Sequence, residues 1–327
     1  MRLLSMLFLG LGVTALLNPV MAAEAPAATE DAGHNKDYRT FHSDGKIEYG
    51  QIGDSYSAEL VMYLAGNQFM VMEELIKDFQ QKNPNIRTIY VETIPPGQIL
   101  KNQILKQGEI DGQKTSQNPD LFASVNQNHL KKLIKMNRMR KYMIYTHNKL
   151  ELMVKKGNPK KIKGVEDLGR PDLVQSHPNP LTEGIFKFYG SEMLKDAGLF
   201  EKVTGGQQCK SCWAVPGKTW FTSRHHRETP DRIEAGEADV GIVWTTEVVH
   251  AKATGRNVDG VAIPAPLNKE EKVGYAIGKL NAGRNQANAD AYLAYLATDR
   301  AQEIYAKYGF GKASAEELKI KPLPSPK

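Results

Sequence analysis

Ala58-Glu59-Leu60-Val61-Met62-Tyr63-Leu64-Ala65 is an unbroken β-type run that stops at Gly66-Asn67. After the stop, Phe69, Met72, Leu75, Ile76 and Phe79 recur at helical spacing until Asn83-Pro84 ends the helix. Residues 86–91 then return to a β-rich run. Strand, helix and strand in this order predict a βαβ unit and a mainly parallel sheet.

The same alternation extends outward from this unit. Pro95-Pro96-Gly97 is a turn before a helix over 98–107, and 120–125 is a short buried strand. Further on, 150–154 is a strand closed by Lys155-Lys156-Gly157-Asn158-Pro159, 165–168 starts a short helix, and 172–176 is a strand ending in His177-Pro178-Asn179-Pro180. Thr182 caps a helix that carries Ile185, Phe188, Tyr189, Met193 and Leu194. Thr229-Pro230 is an N-cap followed by proline at the first helical position, which starts a helix over 231–235. Residues 239–244 form a buried strand, Thr245 or Thr246 caps the next helix, and two helices over 287–297 and 299–308 follow. Small or polar residues at strand ends, followed at once by helices, place backbone N–H groups around a crevice. No internal repeat is visible at solenoid periods.

A chain of 327 residues has room for two domains or one large α/β fold. Its 41% hydrophobic and 24% charged residues support a real core, which excludes a disordered, collagen-like or disulfide-dense class. The net charge of +6 is spread along the sequence, so nothing marks a nucleic-acid-binding tail.

The N-terminus bears on the compartment. Arg2 precedes an apolar run over 3–17, then Asn18-Pro19 and the small stretch Val20-Met21-Ala22-Ala23. A basic start, a short apolar middle and small residues before a cut after Ala22 or Ala23 read as a secretory signal peptide over 1–22, with a retained N-terminal membrane anchor as the alternative. Cleavage removes only Arg2 among the charges, so +6 becomes +5. Residues 23–56 have few periodic apolar positions and read as a mobile leader with at most a short strand at 46–49.

Five stretches, in order, carry a resemblance to a known family. They are Leu64-Ala65-Gly66-Asn67-Gln68; 97–104 leading into Pro119-Asp120-Leu121-Phe122-Ala123-Ser124; 152–159; His226-Arg227-Glu228-Thr229-Pro230 through 238–247; and Val273-Gly274-Tyr275-Ala276-Ile277 with the closing 305–310. In these the chain resembles a type II periplasmic solute-binding protein of an ABC importer, closest in pattern to the molybdate-binding group. The resemblance implies a bilobed α/β fold, two mixed sheets flanked by helices and joined by a two-strand hinge. Lobe one would be 57–146 plus 263–318, lobe two 147–262, and 319–327 a tail. It implies a periplasmic monomer that closes around a small oxyanion of the molybdate or tungstate type and delivers it to an inner-membrane permease, with no enzymatic activity, no cofactor and no nucleic acid. Helix N-termini and oriented amides bind such an anion without a basic side chain.

Carried over by position, the implied ligand shell is Gly66, Asn67 and Gln68 at the first strand's end, Ser124 after the second, Thr182 at a helix start and Tyr275 closing the site. The molybdate-type pattern offers Ala-Ser-Ser where this chain has Ala65-Gly66-Asn67-Gln68. Thr245 and Arg227 join the candidate shell, as do Glu183 and Glu228, which with Glu247 lie near helix starts by the cleft. A carboxylate there either caps its helix or turns the cleft toward a cation or zwitterion. Arg224 and Arg227 offer bidentate contacts to an oxyanion, while His225 and His226 are candidate metal ligands.

Cys209 and Cys212 are the only cysteines, and a structural disulfide is the default in an oxidising compartment. A redox pair and a metal site with His225 or His226 remain the alternatives, and Trp213 excludes covalent haem attachment. No Gly-x-Ser-x-Gly elbow, P-loop or His-Glu-x-x-His motif is present. Three readings stand: an oxyanion-binding transport component, the same fold binding a transition metal, metal chelate or small organic solute, and a secreted redox or metal-handling protein using the Cys209/Cys212 pair.

Overall fold

The computed structural model describes residues 37–106, 108–110, 112–223 and 228–319, with the backbone of 321–322. The opening unit forms as its periodicity predicts. Strand Leu60–Ala65 is buried throughout, a single turn follows at Gly66–Met70, and helix Met72–Lys82 buries Met72, Leu75, Ile76 and Phe79 against the sheet. Strand Thr88–Ile94 returns parallel to the first, in register from Leu60 opposite Ile89 to Ala65 opposite Ile94.

Two mixed sheets organise the chain. The larger has nine strands, in the order Gly311–Lys312, Met139–His147, Gly274–Leu280, Leu121–Ser124, Leu60–Ala65, Thr88–Ile94, Tyr38–His42 and Ile47–Tyr49, with Lys321–Pro322 paired to Met139–His147. The smaller has six, in the order Cys212–Val215, Thr219–Phe221, Gln175–His177, Val240–Trp244, Leu150–Lys155 and Val258–Ala262. The chain crosses between the sheets twice, at 148–149 and over 263–273. The crossings are bonded to one another: Asn148 N donates to Val273 O at 3.3 Å and Leu150 N to Asn268 O at 2.8 Å. A continuous apolar cluster spans both sheets, from Leu64, Leu75 and Phe79 to Ile242 and Phe221. The central strand of the smaller sheet needs glycine at one place, where a Cβ on Gly241 would stand 2.2 Å from Ser176 O and 2.3 Å from Thr229 Cγ2. Helix Glu228–Glu234 packs on the strand through that gap.

Several expectations change. The signal peptide lies outside the described residues. The leader predicted over 23–56 contains strand Tyr38–His42, which pairs antiparallel with Thr88–Ile94 and buries Tyr38, Arg39, Thr40 and Phe41. Arg39 is accommodated because Nη2 donates to Phe69 O at 2.9 Å and its guanidinium lies 5.3 Å from the Phe41 ring centre. The Gly-rich loop around Cys209 leads into a hairpin, Cys212–Val215 with Thr219–Phe221. Helix Glu228–Glu234 starts three residues before the expected 231, so Thr229-Pro230 lies inside its first turn. The helix expected over 98–107 is a short turn at Pro96–Gln98 followed by a wider π-type helix at Ile99–Ile104. No helix among the described residues is long and apolar enough to cross a membrane.

Candidate functional site

Strand ends from the larger sheet face residues 181–188 and Trp244 of the smaller one. Between them Ala65, Gly66, Asn67, Pro95, Ser124, His129, Thr182, Glu183, Lys187 and Tyr275 are among the residues lining a cavity of about 130 Å³. Pockets for drug-sized ligands run from about 300 Å³ upward. This one therefore suits a solute of a few heavy atoms.

The polar groups of the first wall are held in place before any ligand arrives. Asn67 is buried at 2% exposure, and its Nδ2 donates to Tyr275 Oη at 2.8 Å and to Thr246 Oγ1 at 3.4 Å. Asn148 Nδ2, from the first crossing, donates to the same two hydroxyls at 3.3 and 3.1 Å. Each hydroxyl accepts amide protons and keeps its own O–H to give, and burial pushes the Tyr275 phenol up so that it stays protonated. Ser124 Oγ accepts from Asn126 N at 3.0 Å and lies 2.9 Å from His129 Nδ1. Burial, with Lys132 and Lys187 nearby, pushes His129 down to about 4, which leaves a neutral ring at pH 7.

The second wall is a loop organised by Asn179. Its Oδ1 accepts from Thr182 N and Thr182 Oγ1, each at 2.9 Å, and from Leu181 N at 3.2 Å. The buried Asn179 Nδ2 has no partner among the described residues. Helix Ile185–Gly190 then begins beside the cavity, with Glu183 buried at 2% exposure just ahead of it and Lys187 exposed at the rim. Tyr189 Oη crosses the cleft and donates to Val125 O at 3.0 Å.

Of the residues predicted from sequence, Gly66, Asn67, Ser124, Thr182, Glu183 and Tyr275 stand on the cavity wall. Others turn elsewhere. The Gln68 side-chain Oε1 accepts from Tyr305 Oη at 2.9 Å, away from the cavity lining. Glu228 accepts from Trp220 Nε1 at 3.0 Å and from Ser223 N at 2.7 Å, which pins the end of the hairpin. Glu247 accepts from Trp244 N at 3.1 Å, the capping role weighed for it. Thr245 begins its helix next to the lining residue Trp244. Cys209 and Cys212 form a disulfide with Cα atoms 6.2 Å apart, and neither lines the cavity. His225, His226, Arg224 and Arg227 lie outside the described residues. Among the described residues no three His, Cys, Asp or Glu side chains gather as a metal site.

The sequence reading missed His129, Lys187, Asn148 and Thr246. His129 stands in the first turn of the helix after Ser124, a position the strand-end rule points to. Asn148 gave no local signal and Thr246 only that of a helix start, because each reaches Tyr275 or Asn67 from a distant part of the chain.

The pattern of a family described as bacterial extracellular solute-binding protein matches residues 60–311. The sulfate-binding protein of Synechococcus elongatus is 27% identical over 177 residues, 53% of this chain and 49% of that protein. The thiosulfate-binding protein of Escherichia coli is 26% identical over 168 residues, 50% of this chain and 49% of that one. The match thus spans about half the length of these relatives. The periplasmic molybdate-binding protein of Azotobacter vinelandii superposes with a TM-score of 0.58 at 17% identity, covering 78% of this chain and 100% of that chain.

Proposed function

The chain belongs to the bacterial extracellular solute-binding proteins, and from that premise we propose that it is the oxyanion-capturing component of an ABC importer. It has the bilobed α/β fold of type II periplasmic binding proteins, two mixed sheets with a cleft between them. The ligand is a small tetrahedral oxyanion of the sulfate, thiosulfate or molybdate kind, held without chemical change and handed to a membrane permease. We place lobe one at 38–146 plus 263–318 and lobe two at 147–262, in a monomer exported by a cleaved signal peptide over 1–22.

The observation that carries this reading is the small cavity where both sheets meet, walled by Asn67, Ser124, Tyr275 and the loop over 181–184. Uncharged donors and helix starts suit an oxyanion, because aligned N–H groups stabilise negative charge without a buried ion pair. Fixing these donors in advance limits the ordering cost of binding.

Buried Glu183 on the cavity wall favours a second reading within the same fold, a small solute that presents a hydrogen-bond donor. A carboxylate repels a fully deprotonated dianion and accepts from a protonated or hydroxylated ligand.

A melting-temperature panel separates the readings. Sulfate, thiosulfate, molybdate, tungstate, phosphate, divalent metals and small hydroxy acids are each added in excess. A ligand present at a hundred times its Kd stabilises the fold by about 2.7 kcal/mol, a shift of several degrees. The proposal expects a fully deprotonated oxyanion to give the largest shift. A shift by metal or hydroxy acid alone, with none by any oxyanion, rejects it.

A further inference from the structure

We propose that the basic end of helix Gln127–Lys135, with the turn and strand that follow, binds the surface of an anionic phospholipid membrane. Residues 131–141 hold Lys131, Lys132, Lys135, Arg138, Arg140 and Lys141 and no acidic residue. All but Arg138 are exposed. Arg138 is held inward, donating to Ile104 O and, at 2.9 Å, to Asn118 Oδ1. Among the described residues none of the five exposed cations pairs with a carboxylate, whereas Lys82, Arg87, Arg256 and Lys272 each do so elsewhere on the surface.

The turn brings an apolar tip into this charge. Asn137 adopts a left-handed conformation, with φ of 54°, and its N–H closes on Ile134 O at 2.8 Å. Met136, at 48% exposure, is left projecting among the cations. A methionine ringed by lysines fits the boundary between headgroups and acyl chains, with the ammonium groups reaching phosphates around it.

The composition decides between a membrane and a protein partner. Protein interfaces are depleted of lysine and anchored by tyrosine, tryptophan and arginine in fitted pockets. This ridge is lysine-rich and has no aromatic side chain from 131 to 141. A diffuse anionic surface needs charge without fixed geometry, which flexible lysines supply. The helix starts beside the cleft at Asn126 and His129 and rises about 1.5 Å per residue, so the ridge runs away from the cleft, from Lys131 and Lys132 within one turn of His129 to Lys135 and the following turn roughly 9 Å and more along the axis. The inference does not depend on which solute the cleft takes.

The test is co-sedimentation of the full chain with phosphatidylcholine vesicles, with and without phosphatidylglycerol. The native chain is compared with a ridge variant, Lys131→Gln, Lys132→Gln, Lys135→Gln and Lys141→Gln, and with a charge-matched control on exposed positions of the smaller-sheet lobe, Lys156→Gln, Lys163→Gln, Lys202→Gln and Lys218→Gln. The readout is the excess binding to anionic over neutral vesicles, which cancels any contribution from the N-terminal apolar segment. The expected result is a loss of that excess by about tenfold or more in the ridge variant, little change in the control, and disappearance for all three at high salt. Met136→Ser should weaken binding with its salt dependence unchanged. Equal loss in the control, or no preference for anionic vesicles in the native chain, overturns the proposal. So does capture of the native chain by an acidic polypeptide but not by anionic vesicles, because the ridge then reads protein.

Discussion

Asn67, Ser124 and Tyr275, on the wall from the larger sheet, are buried, neutral and already hydrogen-bonded. The facing wall over 181–188 holds a buried carboxylate, Glu183, an exposed ammonium, Lys187, and two apolar side chains in contact with water, Leu181 at 48% and Phe188 at 38% exposure. The first wall is a fixed platform whose polar groups lose little freedom when a ligand arrives. On the proposed function the second responds to a ligand, since Glu183 and Lys187 meet its charge and the apolar surface gains by being covered. On that proposed function, affinity comes from one wall and discrimination from the other.

Three substitutions break or sharpen that division. The largest effect is expected on the platform. Asn67→Ala removes the amide that links the Tyr275 and Thr246 hydroxyls, and calorimetric titration should show the Kd of the oxyanion rising about a hundredfold. A change of threefold or less would mean that the platform does not hold the ligand. On the facing wall the sign reverses: Glu183→Gln should tighten binding of a dianion by about tenfold, because a negative charge leaves the cavity wall. Weaker binding would instead make Glu183 an acceptor of a ligand proton. Tyr189→Phe should act least, by about fivefold, since it deletes only the single bond to Val125 O that joins the walls. Equal effects of all three on Kd would erase the distinction between platform and discriminating wall.

The larger sheet was legible where periodicity is strong. Residues 60–94 form a strand, a helix and a parallel strand because unbroken β-type runs flank apolar residues at helical spacing. Strand Tyr38–His42 escaped because its apolar content is Tyr38 and Phe41 around a buried arginine, and only pairing with Thr88–Ile94 makes it a strand. The hairpin at 212–221 escaped because glycines precede it and Trp213 is exposed. In the site, strand ends and helix starts pointed to Asn67, Ser124, Thr182 and Glu183, which line the cavity. Position alone did not say which way a side chain turns, so Gln68 goes to Tyr305 and Glu228 to Trp220. Asn67 and Tyr275 are 208 residues apart, and no local pattern marks a bond of that span.

The central claim is that one small oxyanion sits between the two walls. A crystal structure of the chain grown with the oxyanion that raises the melting temperature most tests this directly, with anomalous scattering locating molybdenum or sulfur. The account predicts a single anion within hydrogen-bonding distance of Asn67, Ser124 or Tyr275 on one side and of residues 182–184 on the other. An anion bound to one wall alone, or outside this cavity, would contradict it.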